Sequence, residues 1–298
     1  MRLITRGDAD GLGCAVFITM MEKVDSIVFA NPKEMQDGRV DVRRGDIICN
    51  LPYHPDCYMW FDHHISEETR DKNVKAKKFK GKFGMAPSAA RLVYEYYNDI
   101  KLKKFEDFLL AVDKLDSAQL DVTDITDPKG WMLLMTSLDP RASLGNYENY
   151  FKELVEWIKK LSLEEILEEI EVQLRCEYVL SDLENYKNVL QENTTIDENV
   201  IVIDFRNMNL VPIGNRFYEY ILFPEGNISV RLFWGKGKRK IICAVGHSIF
   251  KRDSNTNIGK LLKRYGGGGL RGAGTCQLDP ETADMRIAEI IHRLKKDG

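Results

Sequence analysis

Short apolar runs separated by polar turns recur through the first half of the chain, each of strand rather than helix length. Leu3-Ile4-Thr5, Ser26-Ile27-Val28-Phe29-Ala30, Asp46-Ile47-Ile48-Cys49-Asn50 and Cys57-Tyr58-Met59-Trp60-Phe61 read as strands. Between the first two, the run from Gly13 to Met21 reads as a helix. Pro87 opens another over Ser88 to Tyr96, where apolar residues recur at helical spacing. Such alternation predicts an α/β fold with a mainly parallel sheet covered on both faces.

The second half is patterned differently. Ser162 and Glu165 have capping-box spacing, and no Pro or Gly interrupts the stretch from Leu163 to about Leu190. Ile166, Ile170, Leu174 and Tyr178 fall at helical intervals within it, predicting one long connecting helix. Strand-like runs follow at Val200 to Ile203, Ile228 to Phe233 and Lys240 to Val245. A helix from Ile258 to Tyr265, a glycine cluster and a last helix from about Pro280 to Lys296 close the chain. The 298 residues therefore divide into a first domain over 1–150, a helical linker over 151–194 and a smaller α/β domain over 195–298.

Composition narrows the partners. Hydrophobic residues make up 44% and charged residues 30%, as in a globular protein with a sizeable core. Lys plus Arg total 43 against 46 Asp plus Glu, a net charge of −3, so no basic coat for long duplex nucleic acid is expected. No apolar run approaches the ~18 residues of a membrane span, and Met1-Arg2-Leu3 does not open a signal-like segment. The six cysteines lack C-x-x-C spacing, which fits free thiols in a cytoplasmic protein without structural zinc.

Four segments carry candidate chemistry. Gly7-Asp8-Ala9-Asp10-Gly11 lies where a strand ends and a helix begins, where open α/β sheets bind ligands; the same residues equally make a plain turn. Asp62-His63-His64 follows a strand and places a carboxylate beside two of the five histidines. Asp113 and Asp116 share a helical face at i, i+3. Asp116, before Ser117, is the better ligand, and Asp113 reads as readily as a solvated helix end. The run Gly266-Gly267-Gly268-Gly269-Leu270-Arg271-Gly272-Ala273-Gly274 offers close backbone approach and an arginine fork for phosphate, or else a flexible loop.

In this order the segments resemble the DHH phosphoesterase superfamily. Thr5 to Gly11, Asn50-Leu51-Pro52-Tyr53, Trp60 to His64, Asp116-Ser117-Ala118-Gln119 and Gly272 to Gln277 resemble its bacterial exopolyphosphatase-like branch. The resemblance covers nearly the whole chain. It implies a hydrolase for a phosphodiester or phosphoanhydride in a small or short-chain substrate (a short oligonucleotide, a nucleotide or polyphosphate). One or two Mn²⁺ or Mg²⁺ ions would activate water in an interdomain cleft. Carried over, Asp8 serves one metal, Asp10, His63 and Asp116 the other, and Asn50 stands at the bridging position. His64 touches the scissile phosphate, Asp62 orients an imidazole, and Gly267, Gly268, Gly269 and Arg271 bind substrate.

Three positions depart from the superfamily pattern. Arg6 replaces an imidazole, Asn50 a bridging aspartate and Leu270 a loop histidine. Arginine is no metal ligand but suits a phosphate oxygen, and neutral Asn bridges two cations poorly. Two readings follow: a working phosphoesterase with Arg6 as surrogate charge, and a nucleotide- or phosphate-binding module weakened by loss of one metal site. A homodimer is compatible with either.

Overall fold

The computed structural model describes residues 1–64, 79–139 and 144–297. They form two compact units, Met1–Leu120 with Pro128–Tyr178, and Asp121–Asp127 with Val179–Gly298.

The first unit is built on five parallel strands, β1 (Arg2–Thr5), β2 (Ser26–Phe29), β3 (Ile47–Cys49), β4 (Met59–Asp62) and β5 (Lys80–Phe83), in the order β2-β1-β3-β4-β5. Successive residues serve opposite faces. Leu3, Ile47, Cys49, Met59 and Phe61 join the main core, whereas Ile4, Ile48 and Trp60 pack with Ala30, Met35 and Leu51 on the other side. β1, β3 and β4, buried on both faces, stand out in the sequence as near-continuous apolar runs, and the partly exposed β2 does so through Ile27-Val28-Phe29. β5 does not, because its Lys80-Gly81-Lys82-Phe83 puts two lysines on the sheet edge. Gly81 is required there, since a Cβ would lie 2.0 Å from the Trp60 carbonyl oxygen.

The first helix (Ala9–Met21) starts four residues earlier than its apolar run predicts, because Asp8 accepts the Gly11 N–H and caps it. Ala9 to Ile18 are all buried, so this helix is central and, apart from Asp10 in its first turn, small or apolar on every side. It packs beside the helices Ala89–Tyr97, Glu106–Asp116 and Tyr147–Lys160.

The stretch from 163 is three helices, Leu163–Glu168, Ile170–Ser181 and Leu183–Glu192, instead of one. Glu169 is extended (ψ 128°) and breaks the first from the second. The break changes the buried face, so that Val172, Arg175 and Cys176 turn inward while Ile170, Leu174 and Tyr178 are exposed. Arg175 secures this phase by lying over the Tyr150 ring, 4.1 Å from its centroid, and by pairing with Glu171 and the Leu144 carbonyl.

The second unit carries a six-stranded mixed sheet of β6 (Thr194–Asp197), β7 (Val200–Asp204), β8 (Ile228–Trp234), β9 (Ile241–His247), β10 (Gly268–Gly269) and β11 (Ala273–Leu278), ordered β10-β11-β9-β8-β7-β6. The helices Ile258–Lys263 and Pro280–Asp297 supply Ile258, Leu262, Ala283, Ile287, Ile290 and Leu294 to its core. Three strands escape the sequence reading: β6, β10 and β11. The last two are the flanks of the glycine cluster. Among the described residues no helix is long and apolar enough to cross a membrane.

Helix contacts around the first sheet are close enough to test. A Cβ at Gly13 would meet Ala90 Cβ at 2.7 Å and both Val112 methyls at 3.4 Å. Gly13→Leu is expected to cost about 1–3 kcal/mol of stability in urea unfolding, the usual penalty for overpacking a core. Gly268→Ala, where a Cβ meets nothing within 4 Å, should change stability by less than about 0.5 kcal/mol.

Candidate active site

The strand order reverses between β1 and β3, and the candidate residues gather at the carboxyl ends of the strands around that switch, where open α/β sheets bind ligands. β1 leads into Arg6 and Asp8, β3 into Asn50, and β4 ends at Asp62 before His63 and His64. Asp116 is the last residue of the Glu106–Asp116 helix.

Asp10 lies in the first turn of the Ala9–Met21 helix and is fully buried. Its carboxylate accepts the N–H groups of Ala89 (2.9 Å) and Ala90 (2.7 Å), so it also sits at the N-terminus of the Ala89–Tyr97 helix. Ser88 caps that helix through the Arg91 N–H. Burial, and then the neighbouring Asp116, hold the Asp10 carboxyl well above its ordinary range.

His63 completes the cluster. Its Nδ1 is 3.0 Å from the Ala86 carbonyl oxygen, which fixes the proton on that nitrogen. Nε2 is left 3.1 Å from Asp116 Oδ2 and 3.7 Å from Asp10 Oδ2. Burial pushes this imidazole down, but the Asp116 hydrogen bond and the charges of Asp10 and Asp116 outweigh it and raise the group to about 9. Unprotonated, Nε2 is a buried lone pair that faces two carboxylates and, among the described residues, receives no donor.

That arrangement requires a positive charge in its midst. One ligand atom from each of Asp10, His63 and Asp116 lies within 4.8 Å of the others. A hard carboxylate pair with one imidazole, whose second nitrogen donates to a carbonyl, fits a divalent cation. Among the described residues this is the one such group of three or more His, Cys, Asp or Glu.

Asp8 is arranged otherwise. Its Oδ1 accepts the Gly11 N–H at 2.9 Å and the Asn50 Nδ2 at 3.1 Å, while Oδ2 pairs with Arg6 Nε at 3.0 Å. Asn50 has left-handed backbone (φ 56°), and its Oδ1 is buried without a hydrogen-bond partner among the described residues. His64 Nδ1 bonds Asp62 Oδ1 at 2.8 Å, leaving Nε2 as its outward nitrogen.

Asp113, three residues before Asp116, faces elsewhere. It accepts the Ser88 hydroxyl at 2.6 Å and pairs with the Arg91 guanidinium. The sequence could not reveal this, because the partners lie more than 20 residues upstream. Ala86, Ala89 and Ala90 also escape a reading by side-chain type, since each acts through its backbone.

Over its whole length the chain is similar to PggH, a pGpG-specific phosphodiesterase from Vibrio cholerae. The two share 38% identity over 100% of this chain and 99% of that one, with a TM-score of 0.80. The DHH domain of a protein assigned to a family of ribosomal proteins matches over 99% of this chain and 86% of its own, with 12% identity and a TM-score of 0.62. The chain belongs to the DHH phosphoesterase superfamily.

The DHH fold is shared with RecJ from Thermus thermophilus, in complex with Mn²⁺, at 10% identity and a TM-score of 0.51 over 99% of this chain and 52% of that one. No protein-family model matches the sequence, and no curated protein does. The full-length likeness to a phosphodiesterase makes this DHH protein an enzyme, a hydrolase of phosphoric ester bonds.

The glycine cluster belongs to the second unit, where several of its glycines serve close packing. Added Cβ atoms at Gly267, Gly269 and Gly274 would lie 2.2–2.5 Å from carbonyl oxygens of Thr275, Ala273 and Gly268. Gly259 approaches the Gly269 carbonyl as closely, and its N–H donates to Leu270 O at 2.8 Å. Leu270 and Arg271 are left exposed on the β10–β11 turn. His247 is tied to the same turn by its backbone N–H, which donates to Gly272 O at 2.8 Å. His54 is 3.9 Å from Asp56 in a separate loop.

The two helix-end aspartates are therefore expected to behave oppositely. Asp113→Asn should cost about 1–3 kcal/mol of stability, from the unmatched Ser88 and Arg91 donors, while leaving Mn²⁺ affinity near wild type. Asp116→Asn should weaken Mn²⁺ binding by more than the roughly 10–100-fold typical of a lost outer partner, without lowering the stability of the metal-free protein. Calorimetric titration and urea unfolding of both variants check this pair.

Proposed function

We propose that this DHH enzyme hydrolyses the phosphodiester of a short linear dinucleotide of the pGpG class, with Mn²⁺ or Mg²⁺ held by Asp10, His63 and Asp116. The observation that carries the reading is the Asp10–His63–Asp116 cluster, intact in a chain 38% identical end to end to a pGpG-specific phosphodiesterase. The net charge of −3 supports a short substrate over a long duplex.

The bound cation supplies Lewis acidity and a nucleophilic water at neutral pH. The chain's own residues do the rest. His64, with Nδ1 held by Asp62, presents Nε2 to a non-bridging oxygen of the scissile phosphate. Arg6 adds a fixed positive charge beside Asp8, which stabilises the charge that develops on the phosphoryl oxygens. Asn50 donates its amide N–H to Asp8 and so holds that carboxylate in place beside Arg6. In the second unit, Arg271 and the backbone of Gly267, Gly268 and Gly269 hold the rest of the substrate. In-line attack of water on phosphorus breaks the P–O bond to the leaving ribose and yields two mononucleotides.

The same reading places the enzyme in a reducing cytoplasm, which its six free cysteines support. It includes a homodimer, for which the exposed Ile170, Leu174 and Tyr178 offer apolar surface. The intact triad weighs against a binding module without turnover.

Incubation with pGpG and Mn²⁺ is expected to release mononucleotide, and Asp10→Asn to abolish that release. Arg271→Ala should raise KM with little change in kcat, the signature of uniform substrate binding. Turnover of polyphosphate but not pGpG would move the enzyme to phosphoanhydrides, and no metal-dependent turnover of either would overturn the reading.

A further inference from the structure

We infer that the resting active site holds one divalent cation per chain, with the Arg6 guanidinium standing where a second positive charge would otherwise be bound. The inference deepens the phosphoesterase reading above and rests on it.

The two aspartates of Asp8-Ala9-Asp10 are separated by one residue but serve different charges. Asp10 faces His63 Nε2 at 3.7 Å within the metal-type cluster, from which Asp8 is absent. Around Asp8 stand three donors: the Gly11 N–H (2.9 Å), the Asn50 amide (3.1 Å) and Arg6 Nε (3.0 Å). None of these can be a metal ligand through the atom it presents, because each carries hydrogen. Turning the Asn50 amide over would set its oxygen against a carboxylate oxygen, so the observed orientation is the one that Asp8 enforces. A cation at Asp8 would have to displace a paired guanidinium and then face an amide N–H₂.

Arg6 already offsets the charge of Asp8, so a second cation there would add positive charge that this carboxylate cannot balance. Arginine keeps its charge at any physiological pH, so this half of the site is permanently loaded and indifferent to chelators.

The test is a count of ions in substrate-free protein. Mn²⁺ titration of metal-free enzyme, followed by calorimetry and electron paramagnetic resonance, is expected to give one ion per chain with the spectrum of an isolated Mn²⁺. Arg6→His combined with Asn50→Asp removes the guanidinium and supplies two ligands, and should raise the count to two with a spin-coupled spectrum. If that variant does not fold, the wild-type count still decides. Two coupled ions in the wild-type enzyme would overturn the inference while leaving the phosphoesterase reading standing, whereas none would overturn both. One isolated ion in an enzyme that turns over neither pGpG nor polyphosphate would uphold the count and remove the substrate assignment.

Discussion

A carboxylate with no contact to solvent, that of Asp10, sets the terms for the rest of the first unit. Burying such a group is costly unless hydrogen bonds and a countercharge compensate it. Two backbone N–H groups of the Ala89–Tyr97 helix provide the hydrogen bonds, so that helix must start within reach of the first turn of the Ala9–Met21 helix. The contact of Gly13 with Ala90 allows the approach, and the Ser88 cap and the Asp113–Arg91 pair hold the second helix in place. Site geometry and fold are here one problem: the helix packing that buries the core also aims the Asp10 carboxylate at His63.

The countercharge is what the protein leaves to its surroundings. His63 and Asp116 join Asp10 to make a pocket that is unfavourable until a proton or a cation enters it, and His63 is held near 9 for that reason. Beside it, Asp8 has been given an internal partner in Arg6 and a neutral one in Asn50. One carboxylate thus faces an imidazole and a second carboxylate, while its neighbour is already paired with a guanidinium. On the one-cation reading proposed above, a fixed guanidinium forgoes the Lewis acidity of a second ion but keeps its charge without depending on metal supply.

Much of this was legible in the chain. Four of the five strands of the first sheet carry apolar runs that the sequence displays, β3 and β4 fully buried, and Asp8, Asp10, Asp62, His63, His64 and Asp116 stand at element ends where chemistry-bearing residues are easily noticed. What stayed hidden depends on partners distant in sequence or on backbone groups. Asp113 and Asp116 look alike in sequence, yet one meets Ser88 and Arg91 and the other meets His63. The break at Glu169 carries no Pro or Gly; it is imposed by the tertiary seat of Arg175 against Tyr150. The glycine cluster reads as a loop because strands without side chains have no pattern, although Cys276 and Leu278 alternate inward along β11.

The central claim is that Asp10, His63 and Asp116 together hold the working cation. Anomalous diffraction at the manganese edge, from crystals equilibrated with Mn²⁺, tests it most directly. The account predicts a peak bonded to His63 Nε2 and to a carboxylate oxygen of each aspartate. An occupied manganese position away from these three residues, or none among them at saturating Mn²⁺, would contradict it.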